Sequence, residues 1–166
     1  SYYMMDITLL RVPEAIDLIA GILLFGEEIV RKSTITTDEK TQLIVSKGLI
    51  NSNLNAIKYS FKTAIENNGA NNIEPRVTTD FQKCATSIET FLDIIDKKII
   101  TAQKIDIQAS EYVTVGASAI KDLSKFYFSS IDELDVLLKN RIGGFRTRVA
   151  AAFVFVAIIM IITILL

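Results

Sequence analysis

The chain has 166 residues, with 18 Lys and Arg against 19 Asp and Glu, and its formal net charge is −1. No field of one sign exists to hold a nucleic-acid backbone. It contains no His, no Trp and one Cys, Cys84, which excludes Ser-His and Cys-His nucleophile pairs, zinc sites built on His or paired Cys, and an intrachain disulfide.

Seven Gly and two Pro are too few for a β-rich or disordered chain. Three polar interruptions divide the chain ahead of its C-terminal apolar run: Lys32–Thr37, Asn67–Asn72 and Lys104–Gln108. The intervening segments, about 1–31, 37–66, 75–103 and 109–142, would each form roughly 45 Å of helix. Equal helices with short connections predict an all-α fold, an antiparallel up-down-up-down four-helix bundle, over residues 1–142.

Segment one carries apolar residues on more than one face, from Ile7, Leu9 and Leu10 to Leu23, Leu24 and Phe25, and needs cover beyond one core. Pro13 should kink it or mark a short break. Asp6, Arg11 and Asp17 are charged residues within this apolar helix. The 11-residue spacing of Asp6 and Asp17 is about three turns and puts them on one face. They either form a polar edge, pair across a dimer, or face a pocket in which a few polar groups orient a ligand. Tyr2, Tyr3 and Tyr127 would add ring faces and hydroxyls to such a site.

Segment two opens with Thr36 and Glu39 at capping-box spacing. Its apolar stripe is Leu43, Ile50, Leu54, Ile57, Phe61 and Ile65. Pro75 suits the first turn of segment three, whose stripe is Val77, Phe81, Cys84, Ile88, Phe91, Ile95 and Ile99. On that stripe Cys84 reads as a small buried hydrophobe. Asp93 and Asp96 with Lys97 and Lys98 read as a solvated ion-pair face. Asp106 or Ser110 would cap segment four, with the stripe Val113, Gly116, Ile120, Leu123, Tyr127, Ile131, Leu134 and Leu138. Single stripes with charges opposite are the pattern of helices that share a core.

Residues 143–148 form a juxtamembrane joint containing Gly143-Gly144. Residues 149–166 are apolar except for Thr163 and, at about 27 Å of helix, nearly match the hydrocarbon core of a bilayer. This predicts a transmembrane helix into which segment four runs. The run ends with the chain and the first residue is Ser1, so the sequence reads as a piece of a longer protein. Lys139, Arg141, Arg146 and Arg148 precede the span; alone they would favour a cytoplasmic bundle, but folded domains cross largely regardless of charge. Gly143-Gly144 is followed by no Lys-Ser or Lys-Thr, so no phosphate loop is present. No residue pattern supports catalysis, a cofactor or a metal, and the expectation is a non-enzyme.

Ser1-Tyr2-Tyr3-Met4-Met5-Asp6, Leu10-Arg11-Val12-Pro13-Glu14 and Ile35-Thr36-Thr37-Asp38-Glu39 resemble the membrane-proximal half of an all-helical periplasmic sensor region. That region belongs to bacterial chemotaxis transducers, sensor histidine kinases and diguanylate cyclases. The resemblance covers most of residues 1–148. It implies an inner-membrane receptor with residues 1–148 in the periplasm, a homodimer that covers the surplus apolar surface of segment one, and an output domain beyond this chain. Arg141, Gly143 and Gly144 would then couple bundle to span, with any small-molecule ligand held near Tyr2, Tyr3, Asp6, Arg11, Asp17 and Tyr127. Two other readings stay open. One is a tail-anchored structural or membrane-fusion bundle, favoured by the basic residues but lacking a Gln or Arg layer in the stripe of segment four. The other is an assembly subunit.

Overall fold

The computed structural model describes residues 2–68 and 73–165, and among them the regular structure is entirely helical. Four helices follow one another. Helix α1 comprises Tyr2–Asp6, a π-helical turn Ile7–Arg11 and Val12–Lys32; α2 is Thr37–Asn68; α3 is Pro75–Ile95, extended by a second π turn Asp96–Ile100; α4 is Ala109–Leu165.

The expected disturbance at Pro13 takes the form of the π turn. Pro has no N–H, and its ring crowds the carbonyl four residues earlier. The chain accommodates this by widening just ahead of the ring, where the Val12 N–H donates to the Ile7 carbonyl, five residues back. Within the turn, buried Thr8 returns its hydroxyl to the Met4 carbonyl at 2.7 Å. One extra residue per turn also rotates everything downstream by about 100°.

The α1–α2 connection is tight. Ser33 ends α1 in the left-handed region, with φ 53°, and its N–H donates to the Val30 carbonyl. The capping box forms as expected: the Glu39 N–H donates to Thr36 Oγ1 at 3.2 Å, and the Thr36 N–H to Glu39 Oε2 at 2.9 Å. Lys32 pairs with the same carboxylate. This hydrogen bond, the Thr36 N–H and the Lys32 charge hold the Glu39 carboxyl down at about 2. Asn67 and Asn68 are helical where a turn was expected to begin, and the rest of that expected turn, residues 69–72, lies outside the described residues.

Helix α3 begins at Pro75 as expected, but Glu74 contributes no side-chain cap. Glu133 of α4 replaces it, accepting the Glu74 N–H at 3.1 Å and setting a carboxylate at the positive end of the helix. Helix α3 ends at Ile100, not at 103. Residues 101–108 form the connection, anchored by buried Ile105 and Ile107. Neither Asp106 nor Ser110 caps α4. Gln108 stands at that position, its carbonyl accepting the Tyr112 N–H.

The stripes of α2 and α3 are buried as read except at Ile65 and Phe81, which are half-buried at the edge of the core. On α4 the buried line runs through Tyr112, Gly116, Ala119, Leu123, Phe126 and Ser130, mostly one position ahead of the expected one; Val113, Ile120 and Tyr127 fall at its edge, and Ile131 is exposed. Tyr112 is the reason at the distal end. Its ring is 0 % exposed and its hydroxyl donates to the Ile22 carbonyl at 2.8 Å, in the space that a side chain at Gly26 would fill. A Cβ at Gly116 would likewise stand 2.5 Å from Leu23 and 2.9 Å from the Phe91 ring, so α4 approaches α1 and α3 most closely there. Near the opposite end, Phe61, Phe81 and Phe126 join α2, α3 and α4, with ring centroids 4.3–5.7 Å apart.

The polar pairs give the direction of each neighbour. Asp6 meets Ser60 and Glu14 meets Asn53; Lys47 meets Asp96 and Lys58 meets Glu89; Arg76 meets Asp132 and Ser87 meets Asp122. In every pairing one number rises as the other falls. Past about residue 138 helix α4 leaves its neighbours: residues 139–161 are all exposed.

Candidate functional site

The residues singled out on α1 do not all meet. Asp6 and Arg11 do, across the π turn, with Arg11 Nε 3.5 Å from Asp6 Oδ1. Asp6 also accepts the Ser60 hydroxyl at 2.8 Å. Arg11 Nη1 lies 4.0 Å from Glu14 Oε2, which accepts the side-chain amide of Asn53 at 2.7 Å. The result is a polar seam between α1 and α2, one guanidinium between two carboxylates, closed from the other side by Asn53 and Ser60. Arg11 Nε and Asn53 Oδ1 are buried without a hydrogen-bond partner. The seam thus carries a formal charge of −1 and keeps one donor and one acceptor without hydrogen-bond partners.

Asp6 has a second face. With Tyr2, Met5, Leu9 and Leu10 it lines a shallow depression of about 230 Å³ on the outside of α1. Tyr2 stands edge-on to Tyr3, with centroids 5.4 Å apart, so one tyrosine flanks the depression and the other packs inward against the core. Asp17 is exposed and lies off the face of Asp6, because the π turn has rotated the helix between them. Tyr127 is half-buried and its ring contact is with Phe128. The structure therefore assembles Tyr2, Tyr3, Asp6 and Arg11 locally and leaves Asp17 and Tyr127 apart from them.

Glu14, Asn53 and Ser60 were not singled out in the sequence. Asn53 carried a signal, being polar beside the apolar stripe of α2. A second polar constellation, between α3 and α4, was also legible in retrospect. Asp80 and Lys83 on α3 repeat the spacing of Asp122 and Lys125 on α4. The pairs are reciprocal: Lys125 reaches Asp80 at 2.8 Å and Lys83 reaches Asp122 at 3.1 Å. Both carboxylates are buried and both ammonium groups reach solvent. Burial acts to raise the Asp122 carboxyl, but the hydrogen bonds from Ser87 and Lys83 and the lysine charges outweigh it and hold the group below its usual value. This clamp fixes the register of α3 on α4.

Arg141, Gly143 and Gly144, expected from the sequence to act as a joint, lie where α4 continues alone. The helix passes through residues 143–148 without a break; Gly143 and Gly144 have only open space around them, and Thr147 donates its hydroxyl to the Gly143 carbonyl at 3.0 Å. Arg141 is on the exposed stretch. Beyond it α4 is long and apolar enough to cross a membrane, and none of its most apolar 18-residue window is buried against the rest of the chain. Phe153, for example, is 72 % exposed. A core helix would bury such a face, so packing within this chain does not account for it. Among the described residues no three His, Cys, Asp or Glu side chains converge as metal ligands would.

Comparison with protein-family models, with curated proteins and with solved structures finds no match for this chain.

Proposed function

We propose that this chain is the extracytoplasmic sensing module of a bacterial transmembrane signalling receptor, an up-down-up-down antiparallel four-helix bundle whose last helix passes movement across the inner membrane to an output domain beyond it. The observation that carries this reading is the single helix Ala109–Leu165. One rigid element of about 85 Å belongs to the bundle at one end and to the candidate span at the other. Any rotation or axial shift of α4 in the bundle is then a shift of the span, and a ligand acts by preferring one arrangement of α4 over another. The antiparallel pairings of α1 with α2, α2 with α3 and α3 with α4 support the bundle topology. The seam of Asp6, Arg11, Glu14 and Asn53, with its spare donor and acceptor, is where a small polar ligand would act on α1. Exposed Leu9, Leu10 and Leu24 on α1, the last 70 % exposed, support a homodimer through that helix.

The test joins residues 1–166 to a cytoplasmic kinase output domain in cells. A membrane-impermeant maleimide should label Ser118→Cys from outside intact cells, and the double substitution Gly143→Ala, Gly144→Ala should change the resting kinase activity. Labelling of Ser118→Cys only after lysis, with kinase output indifferent to the glycine pair, would favour the tail-anchored bundle and overturn the receptor.

A further inference from the structure

The stripes of α2 and α3 come to the surface together at Ile65 and Phe81, because a groove of about 320 Å³ opens there between the two helices. On the α2 side it is lined by Lys58, Phe61, Lys62, Ile65 and Glu66, spaced so that one helix face presents them together. Thr78, Phe81 and Gln82 form the α3 side. The floor is aromatic: the Phe61 and Phe81 rings are 4.3 Å apart between centroids and tilted by 32°.

The polar groups above that floor are loosely held. Thr79, Thr86 and Thr90 of α3 each return a hydroxyl to the carbonyl four residues earlier. By contrast, the Thr78 hydroxyl and the Gln82 side-chain amide make no hydrogen bond among the described residues. Lys58 is engaged by Glu89, which lies outside the groove. Lys62 has only Glu66, at 3.9 Å on its own helix, with both side chains exposed; such a pair is worth little and exchanges readily. The lining residues carry two positive charges against one negative.

We infer that this groove binds a small aromatic carboxylate. Its ring lies on Phe61, Phe81 and Ile65, and its carboxylate takes the place of Glu66 at the Lys62 ammonium, with the Gln82 amide as a second donor. A flat ring gains the most contact against a pair of tilted rings. A few convergent polar groups beside an apolar floor then fix its orientation. A neutral ring would leave Lys62 and Gln82 without a partner, and a cationic one would face two lysines. The site is separate from the seam on α1 and independent of how residues 149–166 are read.

The full chain in lipid nanodiscs is titrated with fluoronaphthoate and followed by fluorine NMR line broadening, with empty nanodiscs as the blank. Binding should saturate with a Kd on the order of 0.1–1 mM. In competition, naphthoate should displace the probe, while naphthalenemethanol and naphthylmethylamine should be about tenfold weaker or worse. Lys62→Gln should raise the Kd about three- to tenfold, and Phe81→Leu should raise it at least as much. Lys139→Gln, which removes a charge outside the groove, should leave it unchanged. Should Phe81→Leu disturb the fold, Lys62→Gln still decides, because that side chain lies outside the core. Equal competition by the neutral alcohol, or a Kd unchanged in Lys62→Gln, would overturn the carboxylate site. Broadening no greater than that from empty nanodiscs would overturn binding in the groove altogether.

Discussion

Gly26 and Gly21 lie five residues apart on α1, and the structure requires opposite outcomes when each becomes Ala. At Gly21 a Cβ meets nothing within 4 Å, so Gly21→Ala carries only the gain in helix propensity, about 1 kcal/mol. At Gly26 the Cβ would stand 2.0 Å from the Tyr112 hydroxyl and 2.5 Å from Cζ, and the ring must withdraw to reach ordinary contact. It has little room. Tyr112 is buried, packs against Phe91 with centroids 5.3 Å apart, and is tied to the Ile22 carbonyl. Withdrawal forfeits that hydrogen bond, about 1 kcal/mol, and overpacks the α1–α4 contact by roughly 1–3 kcal/mol. Against the same propensity gain, Gly26→Ala should lose about 2 kcal/mol, a fall in midpoint of roughly 4–8 °C for a chain of this size. Thermal unfolding of the full chain in mild detergent, followed by far-ultraviolet circular dichroism, reads both variants. In a Tyr112→Phe background the closest atom is gone, and the penalty of Gly26→Ala should shrink by about 1 kcal/mol. A rise in midpoint for Gly26→Ala matching that of Gly21→Ala would refute the close approach of α4 to α1.

Three further outcomes follow from local features. Ser33→Gly should raise the midpoint by about 2–4 °C in the same assay, because the residue ending α1 is left-handed and glycine adopts that conformation without the roughly 1 kcal/mol penalty of a Cβ. Glu39 titrates at about 2 in the folded chain against an ordinary 4.5. A lowered folded pKa stabilises the fold above pH 4.5, and the stabilisation is lost as pH falls toward 2; the melting temperature of Glu39→Gln should therefore decline less than that of the parent between pH 5 and 2.5. Burial, with the Asp122 charge nearby, pushes the Cys84 thiol up to about 12, so a thiol reagent at pH 8 should modify it only as fast as the helices open. Rapid stoichiometric labelling of the folded chain would contradict its placement.

Much of the architecture was legible because it depends on local chemistry. Pro75, the Thr36–Glu39 box and the stripes of α2 and α3 each combine a residue type with a spacing that one helix settles alone. Helix α4 was read correctly at Gly116, Leu123 and Leu134 but one position off elsewhere, because Tyr112 and Phe126 were passed over for their neighbours Val113 and Tyr127. Hydropathy alone does not separate adjacent candidates on a helix rich in both; contact with Gly26 on another helix decides. The seam failed for a related reason. Residues 11 apart share a face only in an unbroken α-helix, and the π turn ahead of Pro13 removes Asp17 from Asp6. Its other members, Asn53 and Ser60, come from a helix whose register on α1 no single segment encodes. The connection 101–108 looked like a short polar break, yet Ile105 and Ile107 are anchors, alternating apolar residues that pin an extended stretch onto the end of the core.

Helix α4 runs unbroken from the packed part of the chain into the candidate span. Val136 and Val154 are both exposed, flank residues 143–148 evenly and, being 18 residues apart, lie on one face about 27 Å from each other in an unbroken helix. Spin labels at these two positions, with Cys84 replaced by Ala and the chain in a bilayer, should give one narrow distance distribution near that value by pulsed electron paramagnetic resonance. A broad or markedly shorter distribution would place a hinge at Gly143-Gly144 and contradict the transmission of movement through a single rod.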